Sequence, residues 1–192
     1  GDRVCVMQNG VDSTYFSPDV GFASPYSPGG PVLLFTGAMD YWPNIDAVSW
    51  FAKEILPLVR SRIGEVRFWI VGMNPAPAVL ELAGEAVTVT GTVPDVRPYL
   101  VHADVVVAPL RIARGIQNKV LEAMAMARPV VLSAAPAVGL AAEDGRDCVV
   151  AEDAAAFAEG VVGLLADASG RQDMGRAARE CVLKHYSWQA HL

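Results

Sequence analysis

A chain of 192 residues with 53% hydrophobic content is long enough to bury a substantial core. Its net charge of −6 and 19% charged residues argue against a nucleic-acid surface, because the cations are local rather than spread in a stripe. No apolar run approaches the roughly 18 residues of a membrane helix, and three widely spaced cysteines, Cys5, Cys148 and Cys181, read as buried thiols rather than a disulfide framework or zinc site.

In chain order, a short apolar strand and an Asn9-Gly10 turn lie within Asp2 to Gly10. Ser17 to Gly30 is rich in Pro, Gly and Ser and reads as a linker. Pro31 to Thr36 follows as a strand. A helix from Asn44 to about Arg60 has Val48, Phe51, Ile55, Leu58 and Val59 on one face. Val66 to Val71 is a strand, then a short helix covers Ala76 to Leu82. Ala86 to Thr90 is a strand, with a short helix from about Asp95 to Val101. Asp104 to Ala108 is a strand, followed by a helix from Gly115 to Ala127. Val130 to Ser133 and Cys148 to Ala151 are the last strands. Helices from about Asp153 to Ala166 and from Arg171 to His185 follow. Ser187 resembles an N-cap for a helix starting at Trp188. The chain reads as cut at both ends, with a further helix and domain expected beyond it.

The strands are continuous apolar runs, which implies burial on both faces as in a parallel sheet. Regular βα alternation predicts a doubly wound α/β domain of about six strands. The expected divisions are a strand and linker segment over 1–30, a Rossmann-like domain over 31–186, and the start of a helix over 187–192.

Three expected strands run directly into glycine, at Thr36-Gly37, Val71-Gly72 and Thr90-Gly91. Each glycine reads as an ordinary turn residue or as a point of close backbone approach to a ligand. In a parallel sheet these loops share one edge, so a cleft is expected there. The stretch from Pro109 to Val131 is the most informative. A strand ends in a loop carrying Arg111 and Arg114, and Gly115 opens a helix that carries Lys119 and Glu122. A helix N-terminus presents unpaired N–H groups and about half a positive charge. With three cations in nine residues, the stretch reads as a seat for a phosphate or diphosphate.

Alternatives stay open at single residues. Glu122 fits a salt-bridged helix residue beside Lys119 or an acceptor for ligand hydroxyls. Lys119 and Arg114 fit surface cations as well as phosphate partners, and Arg111 fits a residue that only flanks its strand. His102, His185 and His191 have no ligand partners at metal spacing, and no metal is expected. Trp50, Trp69 and Trp188 read as packing residues, whereas Trp42 could face a cleft. No nucleophile–base arrangement or general base is evident.

Three motifs together resemble the C-terminal half of the GT-B retaining glycosyltransferases of family 4. Gln8-Asn9-Gly10-Val11-Asp12, running on to Phe16-Ser17-Pro18, looks like the family's interdomain segment. Leu121-Glu122-Ala123-Met124-Ala125, followed by Arg128-Pro129-Val130-Val131, looks like its donor-site helix and next strand. Tyr186-Ser187-Trp188 looks like the start of its last helix. The Gly37–Asn44 loop and the Arg111–Lys119 stretch look most like sugar transferases of bacterial exopolysaccharide systems.

The resemblance implies a domain that binds a nucleotide-diphosphate sugar, of UDP or GDP type, with no cofactor or metal. The sugar would pass with retention to a glycan or lipid-linked acceptor held by a missing N-terminal domain. It also implies a cytoplasmic location, at the inner face of the cell membrane if the longer protein associates peripherally. Glu122 matches the glutamate that contacts the donor ribose. Gly115, Ile116 and Gln117 match the loop whose N–H groups meet the diphosphate or sugar. Val93, after Gly91-Thr92, matches the nucleobase region, and Gly37, Thr92, Arg111 and Asn118 complete the expected donor set. Two departures stand out. Arg114 occupies the place of the family's first motif glutamate, and Ala38 and Pro43 occupy the places of a cationic pair. Arg111, Arg114 or Lys119 is therefore expected to supply the missing charge, with Arg114 and Lys119 as the catalytic cations.

Rival readings are a nucleotide-sugar epimerase of the same fold and a non-catalytic GT-B-like binding domain. A phosphate-accepting regulatory domain would want clustered aspartates at strand ends, and Asp40 and Asp95 make no such set.

Overall fold

The computed structural model describes residues 9–191; Cys5 and the short strand expected ahead of Asn9 fall outside that range. Six strands form one sheet: β1 (Val32–Thr36), β2 (Arg67–Val71), β3 (Val87–Val89), β4 (Val105–Ala108), β5 (Val130–Ser133) and β6 (Val149–Ala151). Their spatial order is β3-β2-β1-β4-β5-β6, and every neighbouring pair is parallel. This is the expected doubly wound α/β domain. Strands β1, β4 and β5 are buried along their whole length, which is why their sequences are apolar without alternation.

Successive side chains of each strand enter opposite cores. Leu33 and Phe35 join Phe51, Phe68 and Phe157 on one face, while Leu34 joins Leu121, Met124 and Val182 on the other. The Phe51 ring packs 4.5 Å from Phe68 and 5.8 Å from Phe157. The first face is covered by helices α1 (Trp42–Trp50), α2 (Leu56–Arg62), α3 (Pro77–Leu80) and α7 (Ala154–Ala166). The second is covered by α4 (Arg97–His102), α5 (Asn118–Ala125) and α8 (Ala168–His185). A short helix, α6 (Ala134–Ala137), follows β5 and has no counterpart in the sequence reading.

The helix expected from Asn44 to Arg60 is interrupted by a π-turn, Phe51–Ile55, between α1 and α2. Pro57 supplies the reason. It has no N–H and its ring clashes with the carbonyl four residues back, so the preceding turn widens, and Leu56 N–H bonds Phe51 O instead. The last helix begins three residues before its expected start at Arg171, because Asp167 caps it by accepting from Gly170 N–H at 2.9 Å. Asp167 also closes α7. Replacing Asp167 with alanine should destabilise the fold by about 1 kcal/mol, readable as a shifted urea midpoint at unchanged slope.

The two ends of the described chain meet. Val11 pairs with Ser187, and Ser13 Oγ lies 3.0 Å from Ser187 Oγ. The 3-10 turn Trp188–His191 starts at the expected residue. Cys148 and Cys181 are buried and free, and burial pushes their thiols up to about 12 and about 11, so they are poor nucleophiles. Among the described residues, no helix is long and apolar enough to cross a membrane.

Candidate active site

The strand order reverses between β1 and β4, and the loops after them diverge there. A cleft of about 660 Å³ opens at that switch point, beyond the carboxyl ends of the strands. Its floor is built from two glycine turns. Gly37 N–H bonds Val71 O at 3.1 Å, and Met39 N–H bonds Met73 O at 2.8 Å, so the β1 and β2 loops are stitched together. At Gly72 (φ +156°) a Cβ would stand 1.6 Å from Gly37 O. No side chain fits there.

Of the expected donor residues, Gly37, Thr92, Val93, Ile116, Gln117, Asn118, Lys119 and Glu122 all line this one cleft. Helix α5 starts at Asn118 with Gln117 as N-cap, not at Gly115, and no side chain caps it. Its first N–H groups are therefore left for solvent or a ligand. Gly115 lies on the exposed loop before the helix, outside the cleft lining. The Gln117 side chain reaches back to Gly115 O at 3.3 Å and holds that loop.

The three cations separate. Arg111 does not reach the cleft: its guanidinium is bound by Asp46 of α1 at 2.6 Å and lies 5.1 Å from the Trp50 ring centre. The Asp46 carboxylate holds its pKa above the ordinary arginine value. Arg114 is exposed on the loop and does not line the cleft. Lys119 does. Its ammonium crosses to the end of β1, where a Cβ on Gly37 would meet Nζ at 2.6 Å. Nζ donates to Asn44 Oδ1 at 2.7 Å and sits 4.3 Å from the Phe35 ring centre. An ammonium thus reaches the Gly37 turn, next to Ala38, from a different element, α5.

Lys119 and Glu122 share one half-buried wall of α5. Burial lowers the Lys119 pKa from 10.5 to about 8, opposed by the Glu122 charge. Burial raises the Glu122 carboxyl, opposed by Lys119. Among the described residues the Glu122 carboxylate has no hydrogen-bond or ion-pair partner, so it faces the cleft as a free acceptor.

Of the lining residues outside the expected list, three hold the cleft together. Asn9 Nδ2 donates to Ile116 O at 2.8 Å and ties the Asn9-Gly10 segment to the loop before α5. Asn44, a single buried amide in the first turn of α1, orients Lys119. Tyr15 forms a side wall, its ring 3.8 Å from the Arg97 guanidinium, which is in turn fixed by Asp95 at 2.8 Å. An isolated polar residue in an apolar first turn was the available signal for Asn44. Trp42 is exposed and not among the lining residues, while Trp50 and Trp69 pack against Phe157 and Tyr26. His102 sits at the end of α4, 2.6 Å from Phe22 O. The His191 side chain falls outside the described atoms. Among the described residues no cluster of His, Cys, Asp or Glu could hold a metal.

The family described as Glycosyl transferases group 1 matches residues 30–167. This chain belongs to that family. Solved structures share its fold. Sucrose-phosphate synthase from Thermosynechococcus elongatus aligns over 95% of this chain and 48% of its own, at 21% identity and TM-score 0.72. The C-terminal domain of a group 1 glycosyltransferase, LpcC, from Francisella tularensis aligns over 94% of this chain and 100% of its own, at 18% identity and TM-score 0.73. Anabaena HepE, solved in complex with UDP and glucose, aligns over 93% of this chain and 52% of its own, at 15% identity and TM-score 0.70. The chain therefore spans about half the length of several of the structures it matches. Comparison with curated protein sequences returned no match.

Proposed function

We propose that this chain is the donor-binding half of a retaining glycosyltransferase of family 4, acting on a nucleotide-diphosphate sugar of UDP or GDP type. The acceptor is a glycan or lipid-linked glycan of exopolysaccharide synthesis, held by a second domain across the cleft. The longer protein works in the cytoplasm or at the inner face of the membrane. One observation carries this reading: a switch-point cleft presents an ammonium, a free carboxylate and an uncapped helix N-terminus on one short element, α5.

Each group has a task in that reaction. Negative charge develops on the diphosphate as the glycosidic bond breaks. Lys119 and the α5 N–H groups would stabilise that charge, which is electrostatic catalysis at a preorganised site. Glu122, a pure acceptor when ionised, would take hydrogen bonds from the donor ribose. Val93 and the Tyr15 ring would flank the base. Arg114, exposed on the α5 loop, is left for the sugar or acceptor side once the cleft is complete.

The test is a titration of the chain with UDP, GDP, ADP and their sugar conjugates, followed by NMR, with Glu122→Ala alongside. Selective binding that weakens at least tenfold in the variant is the expected result, since losing charged hydrogen bonds removes about 1.5–3 kcal/mol. Equal binding by both proteins would remove Glu122 from the donor site. No binding by any nucleotide at millimolar concentration, to this chain or to a longer one carrying the second domain, would favour a non-catalytic domain.

A further inference from the structure

Asn44 and Lys119 lie 75 positions apart in sequence, and their contact has a fixed polarity. A lysine ammonium can only donate, and the Ala38 carbonyl can only accept. The Asn44 amide must therefore turn Oδ1 toward Lys119 Nζ, at 2.7 Å, and Nδ2 toward Ala38 O, at 2.9 Å. The residue is buried in the first turn of α1. Its side chain thus joins three pieces of the cleft: α1, the β1 loop and α5.

What Asn44 lacks is charge. A carboxylate in its place would neutralise the ammonium, whereas an amide orients it and leaves its charge intact. The other surroundings of Nζ are neutral as well. Strand β1 contributes the Phe35 ring, and the β1 loop contributes the Gly37 turn. On α1 the nearby ionised group, Asp46, is already held by Arg111. Glu122, on the same helix as Lys119, is the ionisable group that bears on it, without an ion pair between them among the described residues. An ammonium has three donors, and among the described residues only the one to Asn44 is engaged.

We infer that Asn44 is a positioning residue, holding the Lys119 ammonium free of an ion pair at the Gly37 turn so that it meets the diphosphate of the donor. This rests on the donor-binding reading given above. Burial already brings Lys119 down to about 8. Losing the Asn44 acceptor pushes it lower, because the charged form loses its hydrogen bond; a carboxylate there pushes it higher.

The test follows the Lys119 side chain by NMR through a pH titration in three forms of the chain: unaltered, Asn44→Asp and Asn44→Leu. The titration is run first without ligand and then with UDP and with GDP. The midpoint for Lys119 should rise in Asn44→Asp and fall in Asn44→Leu, by about one pH unit or more in each. Nucleotide affinity at pH 7 should fall at least tenfold in Asn44→Asp, although its lysine is more fully charged. In Asn44→Leu the pH at which affinity declines should move down with the lysine midpoint. Asn44→Asp keeps the shape but gives up the bond from Nδ2 to Ala38 O, so its melting temperature is read alongside, and its lysine midpoint carries the test should the leucine variant fail to fold.

A lysine midpoint identical in the folded variants would overturn the inference, as would an Asn44→Asp protein that binds nucleotide as tightly as the unaltered chain. A role confined to holding the fold would lower the melting temperature and move neither quantity. Should the midpoints move while the unaltered chain binds neither nucleotide, the donor reading fails and the coupling of Asn44 to Lys119 stands.

Discussion

Lys119→Ala should lower the affinity of the chain for UDP or GDP at least tenfold without destabilising the fold. Tenfold corresponds to about 1.4 kcal/mol, at the low end of what a charge-assisted hydrogen bond to a phosphate supplies. The fold should suffer little, because the lysine stands in an unfavourable place, and its removal offsets the loss of the bond to the buried Asn44 Oδ1. Its ammonium is half-buried in the first turn of α5, at the positive end of the helix dipole. Alanine is the best helix former and removes a buried charge there. An unchanged or raised melting temperature beside a lost affinity would mark a residue kept for binding rather than stability. Unchanged affinity would remove Lys119 from the site and return the problem of the missing cations to Arg114.

The same residue gives affinity and stability opposite responses to pH. Only the protonated amine binds phosphate, so affinity should hold up to about pH 8 and decline above it, as Lys119 titrates. Stability runs the other way. The folded pKa, about 8, lies below the ordinary 10.5, so between those values the unfolded chain binds more protons. This group therefore adds stability as pH rises through that window. Measuring nucleotide affinity and the denaturant midpoint at pH 7.5 and 9.5 separates the two effects, with the Lys119 part of the stability change read as the difference between the unaltered chain and the alanine variant, because the raised thiols of Cys148 and Cys181 lower the stability of both over this range.

Much of this was legible in the sequence, because the signals were local. Apolar runs such as Val105 to Ala108 and Val130 to Ser133 can only be strands buried on both faces, and a parallel doubly wound sheet follows from them. The glycines after β1 and β2 placed the cleft at the right edge, since a parallel sheet brings those loops together. The helix periodicity after Asn44 was equally plain, but the π-turn was hidden, because Pro57 is tolerated at a helix start and only its preceding turn reveals otherwise. The cations were the harder part. Arg111, Arg114 and Lys119 look alike as a charge cluster. Which of them enters the cleft depends on Asp46 and Asn44, two residues of α1 that neither motif nor spacing connects to the loop. Non-local partners decided the site, and a linear pattern does not carry them.

Gly72→Ala should damage stability and binding together. The added methyl would stand 1.6 Å from Gly37 O, and the residue keeps a φ of +156° that L side chains rarely adopt. Relief requires the β1 and β2 loops to part, which breaks the bonds from Gly37 N–H to Val71 O and from Met39 N–H to Met73 O. Backbone strain and overpacking together should cost on the order of 3 kcal/mol. In a domain of this size that lowers the melting temperature by roughly 6–12 °C. Gly163→Ala is the control: it lies inside α7 with open space around a new Cβ, and should stabilise by about 0.5–1 kcal/mol. The consequence for binding follows from where the strain falls. Gly37 is the turn against which Lys119 Nζ rests, so moving it displaces the ammonium from the place proposed for the diphosphate. Nucleotide affinity should therefore drop even at temperatures where the variant is fully folded. A Gly72→Ala protein that melts with the unaltered chain would show that the two loops are not locked together, and the floor of the cleft would need another account.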